Sequence, residues 1–260
     1  MEYWDKVWSG GSLPPPVQVD PPNRHNYLER CFDAIFARYL GGRSGARLVE
    51  VGCARSVMLP FMALRYQVKV SGIDYSHLGC EQSRQILRAG NIDGTIFEAD
   101  LFNPPRELLN SFDFVTSFGV AEHFDAVSKC LQAMGQLLKP GGLIITFVPN
   151  LAGVLGPLQI FANREIYGIH QILTARTLQS EHERAGFTVL EARSLGALNF
   201  CLLNWGAGSG LKARLGRKVS SAITKFSWTM LPQSSVSWRP GPFSSHLACV
   251  ARKPVGSEQE

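Results

Sequence analysis

Arg47-Leu48-Val49-Glu50-Val51-Gly52-Cys53-Ala54-Arg55-Ser56 reads as a short buried strand, a tight turn of small residues and the start of a helix. Gly52 and Ala54 let backbone N–H groups come very close to a ligand, and the N-terminus of the following helix favours a negative group. Glu50 stands inside an apolar strand, where an ionised carboxylate needs partners. It either braces the turn or meets a ligand ammonium. A nucleotide-like ligand lying against the backbone suits this stretch.

Downstream, strands and helices alternate. A helix carrying Met58, Phe61, Met62 and Leu64 leads to a second strand, Gln67 to Asp74, and Ser76 is the N-cap of the next helix. Gly94 to Glu98 and Phe112 to Phe118 are the third and fourth strands. Val127, Cys130, Leu131, Met134 and Leu138 mark a helix, and Lys139-Pro140-Gly141-Gly142 reads as its stop. Leu143 to Val148 is the most strand-like run, ended by Pro149. This rhythm predicts an α/β fold, a parallel sheet with helices on both faces and a ligand crevice at the carboxyl ends of the strands. Gly52, Asp74, Asp100 and Phe118 all fall there. Asp74, 22 residues after Gly52, suits the two hydroxyls of a ribose, and Asp100 suits an exocyclic amine. A dinucleotide is disfavoured, because the G-x-G-x-x-G fingerprint is missing: Ala54 and Val57 stand where its later glycines belong.

Upstream, Leu28, Cys31, Phe32, Ile35, Phe36, Tyr39 and Leu40 form one helical face, closed by Gly41-Gly42. Residues 1–25, with Trp4, Trp8 and Pro14-Pro15-Pro16, read as an aromatic, proline-rich arm packed on the domain. The domain itself is expected over 26–253, with 254–260 as a disordered tail. After Asn150 the pattern loosens. Residues 151–172 read as an irregular insertion and 194–241 as a long excursion; together they form a substrate cover. Between them lie a helix, Thr177 to Ala185, and a strand, Phe187 to Ala192. Ser245 to Val250 is the final strand.

The 260 residues are 45% hydrophobic and 18% charged, ordinary for one globular α/β domain. No apolar run is long enough to span a bilayer, and the start lacks the basic and apolar regions of a signal peptide. Six scattered cysteines with no CxxC pair read as buried hydrophobes in a reducing compartment, which implies a cytoplasmic protein. No histidine or cysteine spacing suggests a metal.

Several stretches together resemble the motifs of class I S-adenosylmethionine-dependent methyltransferases, nearest to ubiquinone-pathway and natural-product O-methyltransferases. Glu50-x-Gly52-x-Ala54-x-Ser56 resembles the first motif, E-x-G-x-G-x-G, with Ala54 and Ser56 in place of glycine. Gly72-Ile73-Asp74-Tyr75-Ser76, Glu98-Ala99-Asp100-Leu101-Phe102 and the run from Phe112 through Glu122-His123-Phe124 are similar to the second, third and fourth, and Leu138 to Leu143 to the turn before the fifth strand. The resemblance covers Arg47 to Arg252. It implies a Rossmann-like three-layer sandwich whose seven-stranded sheet is mostly parallel with an antiparallel last strand. It implies S-adenosyl-L-methionine as cofactor, with Asp74 at the ribose, Asp100 and Leu101 at the adenine, Gly52 and Ala54 behind the methionine, Ser117 and Phe118 lining the sulfonium side, and Glu50 and Tyr75 among the cofactor-binding residues.

Methyl transfer to a hydroxyl needs alignment and the loss of one proton. His123, just after the fourth strand, and His170, in the insertion, are the two candidate bases; packing or capping roles stay open for both. Asn150 reads as a turn cap in preference to an acceptor ligand. A small-molecule or lipid- or saccharide-linked acceptor methylated on oxygen is favoured. A methyltransferase-fold binding module without turnover, or an enzyme acting on RNA or protein, are the alternatives.

Charge is unevenly placed. From Ala192 to Ser257 there is no Asp or Glu against nine Lys and Arg, within a total of +5. Leu211, Leu215, Val219, Ile223 and Phe226 recur near helical spacing among Lys212, Arg214, Arg217, Lys218 and Lys225. The favoured reading is a helix packed over the substrate mouth with a solvated basic rim; peripheral contact with an anionic membrane is the other. Nucleic acid is not expected as a partner.

Overall fold

Side chains alternate along a strand, so Leu48 and Val49 of β1 (Arg47–Val51) enter opposite halves of the core. The same split holds for Phe114 and Val115 in β4 (Phe112–Phe118), and for Ile145 and Ile144 in β5 (Leu138–Pro149). Strands buried on both faces need helices on both faces. One half-core is covered by α1 (Tyr27–Leu40), α2 (Met58–Tyr66) and α3 (His77–Ala89). The other is covered by α4 (Val127–Leu137) and α7 (Ala175–Arg184). Phe36, Met62, Phe147, Leu131 and Met134 are almost wholly buried in these layers, each contributing about 1.5–3 kcal/mol of transfer free energy.

This computed structural model describes residues 12–21, 25–206, 210–237 and 240–255. With β2 (Lys69–Asp74), β3 (Gly94–Glu98), β6 (Thr188–Ala197) and β7 (Ser244–Arg252), the sheet has seven strands in the order β3-β2-β1-β4-β5-β7-β6. β1 to β5 are parallel, and β7 runs antiparallel between β5 and β6. The α/β sandwich and its antiparallel last strand are therefore as the sequence implies. The described arm residues run along the domain: Val19 is buried and Asp20 pairs with Arg65 at 2.8 Å. Trp4, Trp8 and residues 256–260 lie outside the described residues.

Three expectations change. The insertion after Asn150 is helical, forming α5 (Leu155–Ala162) and α6 (Arg164–Gly168). Gly156 and Pro157 hid α5, yet both fall in its first turn, where proline costs no hydrogen bond. α4 stops at Leu137, just before Lys139–Gly142, but that run is not a turn between elements: β5 starts at Leu138, and the glycines form a bulge in its pairing with β4, with Gly141 donating to the Lys253 carbonyl at 3.0 Å. The helix in the basic excursion, α8 (Leu211–Thr229), is present but turns its small residues inward and leaves its large apolar side chains exposed.

All six cysteines are free thiols, five buried and Cys201 exposed. Among the described residues no helix is long and apolar enough to cross a membrane.

Candidate active site

The strand order reverses between β1 and β4, which opens a crevice at their carboxyl ends. Gly52 and Gly119 end these neighbouring strands with φ of 73° and 67°. At Gly52 a β-carbon would lie 2.4 Å from Cγ2 of Val120, so the turn accepts only glycine. A cavity of about 710 Å³ fills the crevice, lined by Gly52, Ala54, Asp74, Asp100, Phe118 and His123 among others.

Asp74 stitches the two turns together. Its Oδ2 accepts the Ala54 N–H at 3.0 Å and its Oδ1 the Ser76 N–H at 2.9 Å. Ser76 in turn caps α3 through Gly79 N at 3.0 Å. The carboxylate thus faces the cavity from a fixed orientation. Beyond it lie exposed Tyr75, buried Leu101 and exposed Asp100, whose Oδ1 accepts the Phe102 N–H at 2.9 Å. Phe102 and Phe124 meet edge to face at 5.4 Å and give this end two aromatic walls.

The two departures from glycine in the turn have places of their own. The α-helical Gly79 leaves room for the Ala54 methyl: a β-carbon on Gly79 would stand 2.5 Å from it. Ser56 Oγ donates to Glu50 Oε2 at 2.6 Å and accepts from Met58 and Leu59 N–H at 3.2 Å each. Glu50 is buried, and burial pushes its carboxyl up to about 8, eased by Ser56 and reinforced by Asp74. Of its two sequence readings, the bracing of the turn is visible directly; Glu50 also lines the cavity.

The opposite end contains residues that local sequence pattern did not flag. Glu29 and Phe32 reach the cavity from α1 and His246 from β7. Glu29 Oε2 is buried without a hydrogen-bond partner, and burial raises its carboxyl. His246 packs edge-on against Phe32 at 5.2 Å, and burial holds its imidazole down to about 4.

His123 and His170, 47 positions apart in sequence, have ring centroids 4.5 Å apart. α5 and α6 carry His170 there: its Nδ1 bonds to the Ile166 carbonyl at 2.6 Å, and Gln171 N–H is held by the Glu122 carbonyl at 2.7 Å. His123 is bonded to the Ile169 backbone; burial, then the neighbouring His170, hold it down to about 4. His170 is lowered by burial as well. Glu122 beside them is buried, with Oε2 unpartnered and its carboxyl pushed up to about 8 by burial. One donor atom from each of Glu122, His123 and His170 lies within 4.8 Å of the others, a set that can move a proton or approach a cation. Sequence spacing does not show this convergence.

The crevice brings together Glu50, Gly52, Ala54, Asp74, Tyr75, Asp100, Leu101, Phe118 and His123. Ser117 is not on its wall. It is fully buried, because strand alternation turns it away when Phe118 faces the cavity. His170 reaches the site through His123 and is not itself a wall residue. Asn150 is structural, donating to Ser244 Oγ at 2.6 Å and the Gly241 carbonyl at 3.0 Å.

Residues 23–192 match the family described as "Methyltransferase domain". A ubiquinone biosynthesis O-methyltransferase from Alkalilimnicola ehrlichii is 30% identical over 147 residues, 55% of this chain and 53% of that protein. A ribosomal RNA small subunit methyltransferase C from Pseudomonas aeruginosa is 27% identical over 158 residues, 56% and 47% of the two chains. The chain thus spans about half the length of these curated relatives. In fold it is similar to geranyl diphosphate C-methyltransferase from Streptomyces coelicolor, with a TM-score of 0.62, 16% identity and 97% of each chain covered.

Proposed function

Since the chain belongs to the methyltransferase-domain family, that of class I S-adenosylmethionine-dependent enzymes, we propose that it methylates a hydroxyl oxygen of a small-molecule or lipid- or saccharide-linked acceptor. The crevice fits S-adenosylmethionine on its own terms. Gly52 brings bare backbone to the cavity, Asp74 presents a fixed carboxylate for a ribose, and the unpartnered Glu29 oxygen suits an ammonium. About 710 Å³ is ample for a molecule of that size. Asp74 and Tyr75 hold the ribose; Asp100, Leu101, Phe102 and Phe124 the adenine; Gly52, Ala54 and Glu29 the amino-acid end. Bound there, the cofactor supplies an electrophilic methyl group.

The choice of oxygen rests on one observation, the His123–His170 pair at the cleft. A hydroxyl is a weak nucleophile until it sheds its proton, whereas a carbon acceptor of the alkene type or a neutral amine needs no such base at the moment of attack. Burial keeps the His123 imidazole neutral, with a lone pair free for that proton, but also makes it a weaker base than free imidazole, so the proton moves as the methyl is transferred and not before. His170 packs against His123, whose ring is bonded to the Ile169 backbone.

Isothermal titration with S-adenosylmethionine tests the cofactor reading; no heat at millimolar ligand overturns it. Methyl-labelled cofactor incubated with separate metabolite, lipid-glycan, RNA and protein pools tests the acceptor. Label should enter a base-stable ether in the metabolite or lipid-glycan pool. Label confined to RNA or protein, or binding without any transfer, overturns the acceptor assignment.

A further inference from the structure

α8 packs against the domain with the face that is poorest in apolar surface. At about 100° per residue, Ala213, Gly216, Ser220 and Thr224 share an arc of roughly 80°, and these four are its buried residues. The packing is specific. A β-carbon on Gly216 would stand 2.3 Å from the Trp205 ring, Trp205 Nε1 donates to Ser220 Oγ at 3.1 Å, and Phe200 N–H donates to Thr224 Oγ1 at 2.9 Å. The register is therefore fixed by the body of the protein.

The neighbouring arc, roughly 120° wide, carries Leu211, Leu215, Val219, Ile223, Phe226 and the C-cap Met230, with Lys212 the single charge within it. All six are exposed, from 44% at Ile223 to 81% at Leu211. Beside its first turn α5 adds Ile160 and Phe161, the latter 71% exposed and bonded through its carbonyl to Lys212 Nζ at 3.3 Å. On the other flank Arg214, Lys218 and Lys225 form a third arc of roughly 40°. Between Ala192 and Ser257 there is no acidic residue to neutralise them. So contiguous an apolar surface marks an interaction site.

We propose that this face, the apolar arc of α8 with Phe161 and the basic arc beside it, lies on the surface of an anionic lipid bilayer. The two arcs match the two layers such a surface offers: acyl chains just below the headgroups for Leu211, Leu215, Ile223 and Phe226, and lipid phosphates for Arg214, Lys218 and Lys225. A second copy of the chain fits less well, because a two-fold contact through this stripe brings the same acid-free helix to the interface and so gives neither basic arc a negative partner from α8. Nucleic acid would leave six large apolar side chains unused. The helix lies on the bilayer and does not span it, consistent with its charge content. The inference rests on α8 alone and stands whether or not the acceptor is a hydroxyl.

Flotation of the full chain with vesicles tests it. With phosphatidylcholine containing about a third phosphatidylglycerol, the protein should float at low salt, at least ten-fold more than with phosphatidylcholine alone. The double variant Leu215→Glu/Phe226→Glu should lose that partitioning at least ten-fold at every salt concentration. The triple variant Arg214→Gln/Lys218→Gln/Lys225→Gln should lose about a hundred-fold and its salt dependence with it. All five positions lie outside the packed face, so helical circular dichroism and S-adenosylmethionine binding should not change. Wild-type protein that stays at the bottom of the gradient at low salt, or variants that float equally, overturn the proposal. So does light scattering that shows a dimer split by Leu215→Glu/Phe226→Glu, which would assign the face to a second copy.

Discussion

Ser56 Oγ lies 2.6 Å from Glu50 Oε2 while accepting the amide hydrogens of Met58 and Leu59. One hydroxyl thus satisfies a buried acid and the first turn of α2 together. Ser56→Ala removes both interactions and leaves the acid buried without its donor, so it should destabilise the protein by about 1–3 kcal/mol. Ser56→Gly, which restores the glycine of the family motif, should cost a similar amount. Urea denaturation of the cofactor-free protein measures this; a change under about 0.5 kcal/mol would show that the hydroxyl is dispensable.

Glu50 gives the stability a defined pH dependence. Its folded carboxyl titrates near 8 against 4.5 in the unfolded chain, so between those values the folded state holds the extra proton. Its contribution is complete below pH 4.5 and is lost as pH rises through 8. The slope reaches at most about 1.4 kcal/mol per pH unit. Asp74 and Ser56 face Glu50 directly, and Glu122, also near 8, adds a slope of the same sign. Glu50→Gln should flatten the decline between pH 6.5 and 8 seen in denaturation midpoints. On the acid side His123, His182 and His246 lie near 4 in the fold. Their contribution is present above pH 6.5 and is lost as pH falls towards 4. Between pH 4.5 and 6.5 the two effects overlap and the three imidazoles outweigh the two carboxyls, so stability should peak near pH 6.5.

Glu29 should separate stability from binding. Its orphan oxygen makes the cofactor-free fold less stable than it need be. Glu29→Gln is expected to leave unfolding free energy equal or higher, while S-adenosylmethionine affinity drops ten- to a hundred-fold, about 1.4–2.7 kcal/mol. Unchanged affinity in calorimetry would remove Glu29 from the cofactor site.

His123→Ala should lower kcat by about 10²–10⁴-fold with cofactor affinity intact, and His170→Ala by less. Because the His123 imidazole is held near 4, the rate should stay level as pH falls through 6.5 and decline only near pH 5 and below. A decline centred near 6.5 would point to a solvated base elsewhere. Turnover abolished by a chelator and restored by a divalent ion would instead make Glu122, His123 and His170 cation ligands.

Gly79→Ala would set two methyl groups about 2.5 Å apart across the α3–turn contact. Overpacking of this kind costs about 1–3 kcal/mol. The same change combined with Ala54→Gly should recover most of the loss, and non-additive denaturation midpoints would report the contact. Strictly additive effects would show that the residues do not touch.

Much of this architecture was legible because it is encoded locally. The run Arg47–Val51 with Gly52, the Asp74 strand end and the Ser76 cap each depend on neighbours within a few residues, and each stands where pattern and spacing put it. The wall residues Glu29 and His246 were not legible, since only the closed sheet brings α1 and β7 to the end of β1. The meeting of His123 with His170 likewise depends on the path of α5 and α6. Motif resemblance pairs Ser117 with Phe118, but alternation lets only one of two successive strand residues face a given side. For α8, periodicity revealed the stripe from Leu211 to Phe226 but not its direction. Hydrophobic spacing says that side chains share a side; whether that side meets protein or something else is decided by residues such as Trp205.

The placement of β7 between β5 and β6 bears on how the protein comes into being during synthesis. Until Ser244–Arg252 has emerged, β5 and β6 each present an open edge, and His246 is missing from the cavity wall. Closing that gap joins segments far apart in the chain, the kind of contact that forms late and slowly. A chain truncated before Ser244 would therefore lack the strand that joins β5 to β6 and one wall of its cleft. Such a chain should bind S-adenosylmethionine more weakly and, with its strand edges open, aggregate more readily than the full chain.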